Sequence, residues 1–273
     1  MSLVSTEWLF KNKENVKIID SSWHLPNEKK DSFVEYNFEH IPNSVYFDID
    51  TNSDQNSDLP HMLPEKNRWE EIMSDLGISN KDNIIIYDNS NLVSSCRLWY
   101  TLLYFGHKKE LVHVLDGGLE KWKNEKLPLT DKKTFLIKSN YTAKENKEMV
   151  KNMHDINLNL ERKIFKLIDG RSKDRFDGKI EEPRKGLRSG SIKNSKCLPF
   201  QHVLNHNKTF KSKDELKILF NKIIDNTDTN NVVFSCGSGI TACVLALAYS
   251  LINNNYNPTI YDGSWAEYGK ILK

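Results

Sequence analysis

The chain has 273 residues, of which 38% are apolar and 28% are charged, and its formal net charge is +2. This length suits two domains of ordinary size better than one. Basic and acidic residues alternate along the chain, so the charge gives no case for a nucleic-acid partner. No apolar run approaches the ~18 residues that a membrane span requires. We therefore expect contact with neither nucleic acid nor a membrane.

The start of the chain has no apolar core of the kind found in signal peptides, and two glutamates precede Lys17. The cysteines form neither a CxxC pair nor a zinc-type spacing; they are Cys96, Cys197, Cys236 and Cys243. A reduced protein of the cytoplasm is the simplest expectation, with a mitochondrial location left open.

Short apolar runs alternate with helix-length segments through the first half of the chain. The predicted strands are 16–19, 44–47, 84–87 and 111–115, and the predicted helices include 69–76, 96–105 and 119–124. Such alternation is typical of an α/β fold with a mainly parallel sheet flanked by helices. Ligands of these sheets gather at the carboxyl ends of the strands, where Asp88 and Cys236 are predicted to lie.

The same succession of motifs occurs twice in the chain. The stretches "KIID", "HIPNSVYF", "DNIIIYD" and "LDGGLEKW" in the first half have counterparts in "KLID", "SIKNSKCLPF", "NNVVFSC" and "YDGSWAEY" in the second. Equivalent positions, such as Asp20 and Asp169, are separated by 146 to 151 residues. We interpret this as a tandem repeat of one domain. The predicted boundaries are 1–126 and 146–273, joined by a polar linker at 127–145.

The segment "SCGSGIT" joins an apolar strand to an apolar helix that is expected to begin near Thr241. Its glycines, Gly237 and Gly239, allow the backbone amides to turn inward. Together with the free N–H groups of the helix start, these amides would stabilise a thiolate at Cys236. The residues alone leave a second interpretation open, in which Cys236 is a buried residue at the end of a strand. Cys243, inside the helix, is expected to be a packing residue.

Several other site classes fit this loop poorly. The equivalent residue of the first repeat is Asp88, which cannot act as a soft nucleophile. A cysteine-dependent phosphatase would place an arginine six residues after the cysteine, where Ala242 stands. The glycine pattern is too short for a dinucleotide site. The remaining interpretation is that a thiolate attacks a soft electrophile such as a sulfur atom.

Together these motifs resemble those of the two-domain rhodanese superfamily, and in particular the branch that uses 3-mercaptopyruvate. The resemblance covers nearly the whole chain and rests on "LVSTEWL", "DSSWHLP", "HIPNSVYFDID", "HMLP", "RFDGKIEEPR", "CGSGIT" and "YDGSW". Thiosulfate-specific members carry charged residues in the cysteine loop, whereas this loop has Gly237 and Ser238. The resemblance therefore implies two rhodanese-like domains, of which only the second carries the catalytic cysteine.

The resemblance also implies a set of site residues. Arg175 and Arg184 match the arginines that hold the carboxylate and keto oxygens of the substrate, a task that suits the planar guanidinium group. Asp50 and His61 match polar residues that, with Ser238, would move protons. The remaining positions of the loop, expected to surround the sulfur, are Gly237, Gly239, Ile240 and Thr241. Arg171 and Arg188 fall outside the matched positions. Arg97 matches another arginine of the family, and its contact with the substrate is left open.

The implied reaction is the transfer of sulfur from 3-mercaptopyruvate to Cys236, with release of pyruvate. A thiol acceptor such as thioredoxin, glutathione or another small thiol, or cyanide in a test tube, then removes the sulfur and can yield hydrogen sulfide. No metal or organic cofactor is required. The alternatives are a thiosulfate sulfurtransferase and a persulfide carrier in a tRNA-thiolation pathway.

Overall fold

The computed structural model describes residues 2–224, 227 and 229–271. The chain divides into two compact units. The first comprises Met1–Gln55, Leu63–Asn146 and His206–Thr209, and the second comprises Asn56–Met62, Lys147–Asn205 and Phe210–Lys273. Among the described helices, none combines the length and hydrophobicity needed to cross a membrane.

The first unit is built around a parallel sheet. Its strands are β1 (Leu3–Val4), β2 (Lys17–Asp20), β3 (Ser44–Tyr46), β4 (Ile84–Tyr87) and β5 (Val112–Leu115). Its helices are α1 (Thr6–Asn12), α2 (Ser32–Phe38), α3 (Lys66–Asp75), α4 (Ser95–Tyr104) and α5 (Gly118–Asn124).

The second unit repeats this plan. Its strands are β6 (Val150–Lys151), β7 (Lys166–Asp169), β8 (Lys196–Cys197), β9 (Val232–Ser235) and β10 (Ile260–Tyr261). Its helices are α6 (Met153–Arg162), α7 (Lys173–Phe176), α8 (Lys213–Asn221), α9 (Ile240–Ile252) and α10 (Ser264–Tyr268).

The two sheets have the same topology. The strand order is β1-β5-β4-β2-β3 in the first and β6-β10-β9-β7-β8 in the second, and each neighbouring pair is parallel. Within the described residues each sheet therefore has five parallel strands, flanked by helices. This confirms the predicted α/β fold and the tandem repeat.

Alternating side chains of the central strands supply both cores. On β9, Val233 packs on one face with Ile156 and Trp265, while Phe234 packs on the other with Phe220 and Tyr249. Successive strand residues point to opposite faces, so a strand that is covered on both sides is apolar at every position. This is why the central strands of this protein read as unbroken apolar runs.

The predicted elements agree closely with the observed ones, and the differences have local causes. The run 84–87 is β4 itself. Helix α3 begins at Lys66, three residues before the predicted start, because its first turn is polar and the apolar pattern begins only at Trp69. Helix α9 begins at Ile240, next to the predicted Thr241.

The segment predicted as a linker runs along the first unit without forming a helix or a strand. Thr130 forms an isolated bridge with His40, and the backbone N–H of Ser139 donates to the carbonyl of Ser74. Farther along, the Tyr141 ring stacks on His107. The contacts of Thr130 and Ser139 satisfy backbone groups that would otherwise bond to water. The boundaries 1–126, 127–145 and 146–273 stay a prediction.

Candidate active site

Cys236 lies directly after strand β9 and begins the loop that leads into helix α9. Its side chain is buried, with only 2% of the residue exposed. Gly239, immediately before the helix, has a φ of 80°, which is the left-handed region that favours glycine. Because β9 is a central strand of a parallel sheet, the loop occupies the carboxyl edge where ligands bind.

Helix α10 fixes the outer side of this loop. The backbone N–H groups of Trp265 and Ala266 donate to the carbonyls of Cys236 and Gly237 at 3.0 and 2.9 Å. The N–H of Cys236 donates to Oγ of Ser264 at 3.2 Å. Both loop carbonyls are thus directed toward α10. The partial negative charges of these carbonyl oxygens are consequently directed away from a thiolate or persulfide at Cys236.

The positive end of helix α9 adjoins the same loop. The first N–H groups of a helix have no partner inside the helix, and the aligned peptide dipoles favour negative charge there. Ile240 is buried and Thr241 is half-buried at this start. Farther into the helix, the buried Cys243 places its Sγ 3.1 Å from the carbonyl oxygen of Gly239. This location agrees with its expected role in packing.

The first repeat uses the equivalent loop to bind its own carboxylate. Asp88 follows β4 as Cys236 follows β9, and its carbonyl accepts from the N–H of Leu119 at 2.9 Å. Its two carboxylate oxygens accept from the N–H groups of Ser90 and Ser95, at 3.0 and 2.8 Å. Ser95 is the first residue of α4. The same position of the fold therefore holds an acid in the first unit, and burial raises its pKa against the opposing effect of these hydrogen bonds.

Two predicted arginines lie over the cysteine loop. A methyl group placed at Gly237 would lie 3.2 Å from Nη2 of Arg175 and 3.7 Å from Nη1 of Arg184. Arg175 belongs to the short helix α7, and Arg184 to the connection that follows it. The structure thus brings together Gly237, Arg175 and Arg184 next to Cys236. Any side chain larger than hydrogen at position 237 would therefore fill the space between the loop and the two guanidinium groups.

A buried ion-pair cluster that was not predicted from the sequence lies next to Arg175. Arg171 donates from Nε and Nη2 to the carboxylate of Asp169, and from Nη1 to Oε1 of Glu182 at 2.8 Å. Its guanidinium lies 4.3 Å from the ring centroid of Trp265. Burial alone would lower the pKa of Arg171, but the two carboxylates outweigh it and raise the pKa, which keeps the guanidinium charged.

Glu182 links this cluster to the predicted substrate arginine. Its Oε2 accepts from Nη2 of Arg175 at 2.5 Å, and its Oε1 accepts from Nε at 3.2 Å. The sequence places Glu181 and Glu182 only a few residues after Arg175. The sequence held no signal that one of the two neighbouring glutamates is buried.

His61 lies against the loop within the second unit. Asn56–Met62 belongs to that unit, although the sequence repeat places this stretch in the first copy. Nδ1 of His61 is 3.0 Å from Oγ of Ser238, and both residues are buried. His61 itself has a φ of 61°. The structure thus brings the predicted pair His61 and Ser238 together.

Asp50 belongs to the first unit. Its Oδ2 accepts from Nε1 of Trp23 at 2.8 Å, and its backbone N–H donates to Oδ1 of Asp48 at 2.9 Å. The proton-transfer role suggested for Asp50 stays a prediction. Arg97 is buried in helix α4 of the same unit.

Comparisons with known proteins show which family the chain belongs to. The Rhodanese-like domain family matches the chain twice, at residues 5–125 and 145–270. The thiosulfate/3-mercaptopyruvate sulfurtransferase 1 of Arabidopsis thaliana is 36% identical, over 97% of this chain and 75% of the relative. The human 3-mercaptopyruvate sulfurtransferase is also 36% identical, over 98% of this chain and 91% of the relative.

A solved structure is similar over the same extent. The crystal structure of SseA from Escherichia coli, a 3-mercaptopyruvate sulfotransferase, superposes with a TM-score of 0.87. The two chains are 32% identical, and the match covers 98% of this chain and 100% of SseA.

Proposed function

Because this chain belongs to the rhodanese family of sulfurtransferases, we propose that it transfers sulfur from 3-mercaptopyruvate through a persulfide on Cys236. The observation that carries the proposal is the position of Arg175 and Arg184 beside an uncharged cysteine loop. A loop without side-chain charge offers little to a dianion such as thiosulfate. Two guanidinium groups nearby suit the carboxylate and keto oxygens of an α-keto acid.

In the first half-reaction the Cys236 thiolate attacks the sulfur atom of the donor. A sulfur–sulfur bond forms, the carbon–sulfur bond breaks, and its electron pair remains on carbon as the enolate of pyruvate. The proton of the donor's thiol group, now on the outer sulfur, passes to the enolate carbon. The products are pyruvate and a persulfide on Cys236. Nδ1 of His61 and Oγ of Ser238, 3.0 Å apart, are proposed to carry this proton.

In the second half-reaction a thiolate acceptor attacks the outer sulfur of the persulfide. The acceptor takes this sulfur as its own persulfide, and the Cys236 thiolate is regenerated. Thioredoxin and glutathione are the acceptors we propose, and cyanide would serve in an assay by forming thiocyanate. The amides of the loop and the start of α9, at Gly239, Ile240 and Thr241, would stabilise both anionic forms of the cysteine.

Intact-mass analysis after exposure to 3-mercaptopyruvate tests this proposal. We expect wild type to gain one sulfur atom, Cys236→Ser to gain none, and pyruvate to appear in step with the persulfide. Cys197→Ser is the matched control, because burial and the charge of Asp169 raise the pKa of Cys197 to about 11. That control should gain sulfur as wild type does. Sulfur on wild type that persists in Cys236→Ser would overturn the proposal.

Thiosulfate is the second candidate donor. The name of the Arabidopsis relative includes both donors, and a guanidinium pair can also bind a sulfonate group. Steady-state kinetics with each donor and cyanide as the acceptor would separate the two. A higher kcat/KM for thiosulfate would contradict the interpretation of the uncharged loop.

A further inference from the structure

Glu182 is a buried carboxylate that joins two guanidinium groups of unequal accessibility. Its side chain is 1% exposed, as is that of Arg171, whereas the side chain of Arg175 is 22% exposed. Oε1 accepts from both arginines, and Oε2 accepts from Nη2 of Arg175. A single acidic side chain therefore connects the interior of the second unit with the guanidinium that lies over Gly237.

The four charges of this cluster balance. Asp169 and Glu182 are acids, and Arg171 and Arg175 are bases, linked in the order Asp169, Arg171, Glu182, Arg175 by contacts of 2.5 to 3.2 Å. Glu182 lies between the two guanidinium groups, and both donate hydrogen bonds to its carboxylate. The positive charge of Arg175 is consequently offset before any substrate arrives.

The contacts also fix the orientation of Arg175. Paired hydrogen bonds from Nε and Nη2 to one carboxylate hold the guanidinium plane and direct its Nη1 edge away from Glu182. Arg175 then recognises a ligand by directed hydrogen bonds more than by net charge. Such recognition suits the planar oxygens of an α-keto carboxylate. A compact dianion depends more strongly on unbalanced positive charge.

We propose that Glu182 determines the donor preference of the site: it orients Arg175 and cancels its charge, which favours monoanionic α-keto acids over dianionic sulfur donors. This inference rests on the proposed function and deepens it. Glu182 is a positioning residue here, since it acts on the donor through Arg175. Its neighbour Glu181 is exposed and offers a matched control in the same turn of chain.

Glu182→Gln tests the inference, because glutamine keeps the length of the side chain and one acceptor oxygen but removes the charge. We expect kcat/KM for 3-mercaptopyruvate to fall about tenfold, mainly through KM, and kcat/KM for thiosulfate to stay unchanged or to rise. The ratio of the two should move toward thiosulfate by about tenfold or more. The thiosulfate reaction should also become more sensitive to salt, because it now depends on net charge. Glu181→Gln should change neither ratio nor salt dependence.

Equal losses with both donors, or an unchanged ratio, would overturn the inference and leave Glu182 a purely structural residue. Glu182→Asp covers the case in which the glutamine variant does not fold. It retains the charge with a shorter reach, so KM for 3-mercaptopyruvate should rise while the salt dependence with thiosulfate stays as in wild type. A thiosulfate reaction of the aspartate variant that becomes as sensitive to salt as that of Glu182→Gln would equally refute the role of the charge.

Calorimetric binding of pyruvate and of sulfate separates this inference from the proposed function, since it needs no turnover. Wild type should bind pyruvate in preference to sulfate, and Glu182→Gln should reverse or erase that preference. A wild type that forms no persulfide but keeps this binding pattern would refute the proposed function and retain the inference. A variant with unchanged binding would refute the inference alone.

Discussion

Asp20 and Asp169 end equivalent strands of the two repeats but have opposite electrostatic surroundings. Asp20 is buried, and Oδ1 accepts from the backbone N–H and Oγ of Ser22 at 2.9 and 2.5 Å. Burial raises the pKa of Asp20 to about 7, against the opposing effect of these hydrogen bonds. Asp169 instead pairs with Arg171. Burial raises the pKa of Asp169 as well, but Arg171 opposes this effect. Replacement by asparagine should therefore remove a buried acid at Asp20 and a buried ion pair at Asp169.

The size of the effect at Asp20 follows from linkage. The ordinary pKa of the carboxyl is 3.8, so the folded state holds its proton over a range in which the unfolded state has lost it. The contribution to stability is fully present below about pH 4 and is lost as the pH rises to about 7. At ~1.4 kcal/mol for each pKa unit, the total is about 4 kcal/mol. Roughly 2–3 kcal/mol of this falls between about pH 5 and pH 8.

Urea unfolding of wild type and Asp20→Asn at about pH 5 and pH 8 measures this term. Asparagine keeps Oδ1 as an acceptor for Ser22 and cannot ionise. The free energy of unfolding of Asp20→Asn, relative to wild type, should increase by about 2–3 kcal/mol between the lower and the higher pH. A difference that is the same at both pH values would refute the assignment of a protonated, buried carboxyl.

Asp169→Asn is the internal comparison. Loss of this acid leaves the buried Arg171 with Glu182 as its remaining carboxylate partner. We expect the free energy of unfolding to fall by roughly 3 kcal/mol at neutral pH. An Asp169→Asn protein as stable as wild type would contradict the buried ion pair.

Three further predictions concern the cysteine loop. Gly237→Ala should fold normally but lower kcat/KM for 3-mercaptopyruvate about tenfold, because its methyl group would lie 3.2 Å from Nη2 of Arg175. Gly239→Ala should instead lower the free energy of unfolding by ~1–2 kcal/mol, since alanine disfavours a φ of 80°; equal melting temperatures for the two alanine variants would contradict this contrast. His61→Asn, which tolerates the φ of 61°, should lower kcat about 100-fold with little change in KM if His61 moves the proton. A KM effect without a kcat effect would assign His61 to binding instead.

Local patterns account for the parts of the fold that were predicted correctly. The strand 84–87 is apolar at every position because both faces of β4 are covered, and the unbroken apolar run is visible in the sequence. The apolar periodicity that begins at Trp69 likewise predicts a helix, missing only its polar first turn. The repeat then transfers each such prediction from one half of the chain to the other, and the identical strand orders confirm the transfer.

Only some features of the candidate site could be predicted from the sequence. The position of Cys236 after a buried strand could be predicted, because a strand, a glycine turn and a helix are consecutive in the chain. The exposure of Glu181 and the burial of Glu182 could not, because adjacent residues of an irregular connection have no periodicity to separate their faces. The packing of His61 with the second unit was equally hidden, since it runs against the order of the repeat.

The sequence by itself determined two α/β repeats, a cysteine loop in the second repeat alone, and the absence of charge in that loop. These features depend on residues that are neighbours along the chain. Only the tertiary structure decided which charges cancel, that Glu182 holds both Arg171 and Arg175, and that Asp88 uses its loop to bind its own carboxylate. Such pairings arise from the path of the connecting segments, and burial makes them strong where solvent would have screened them.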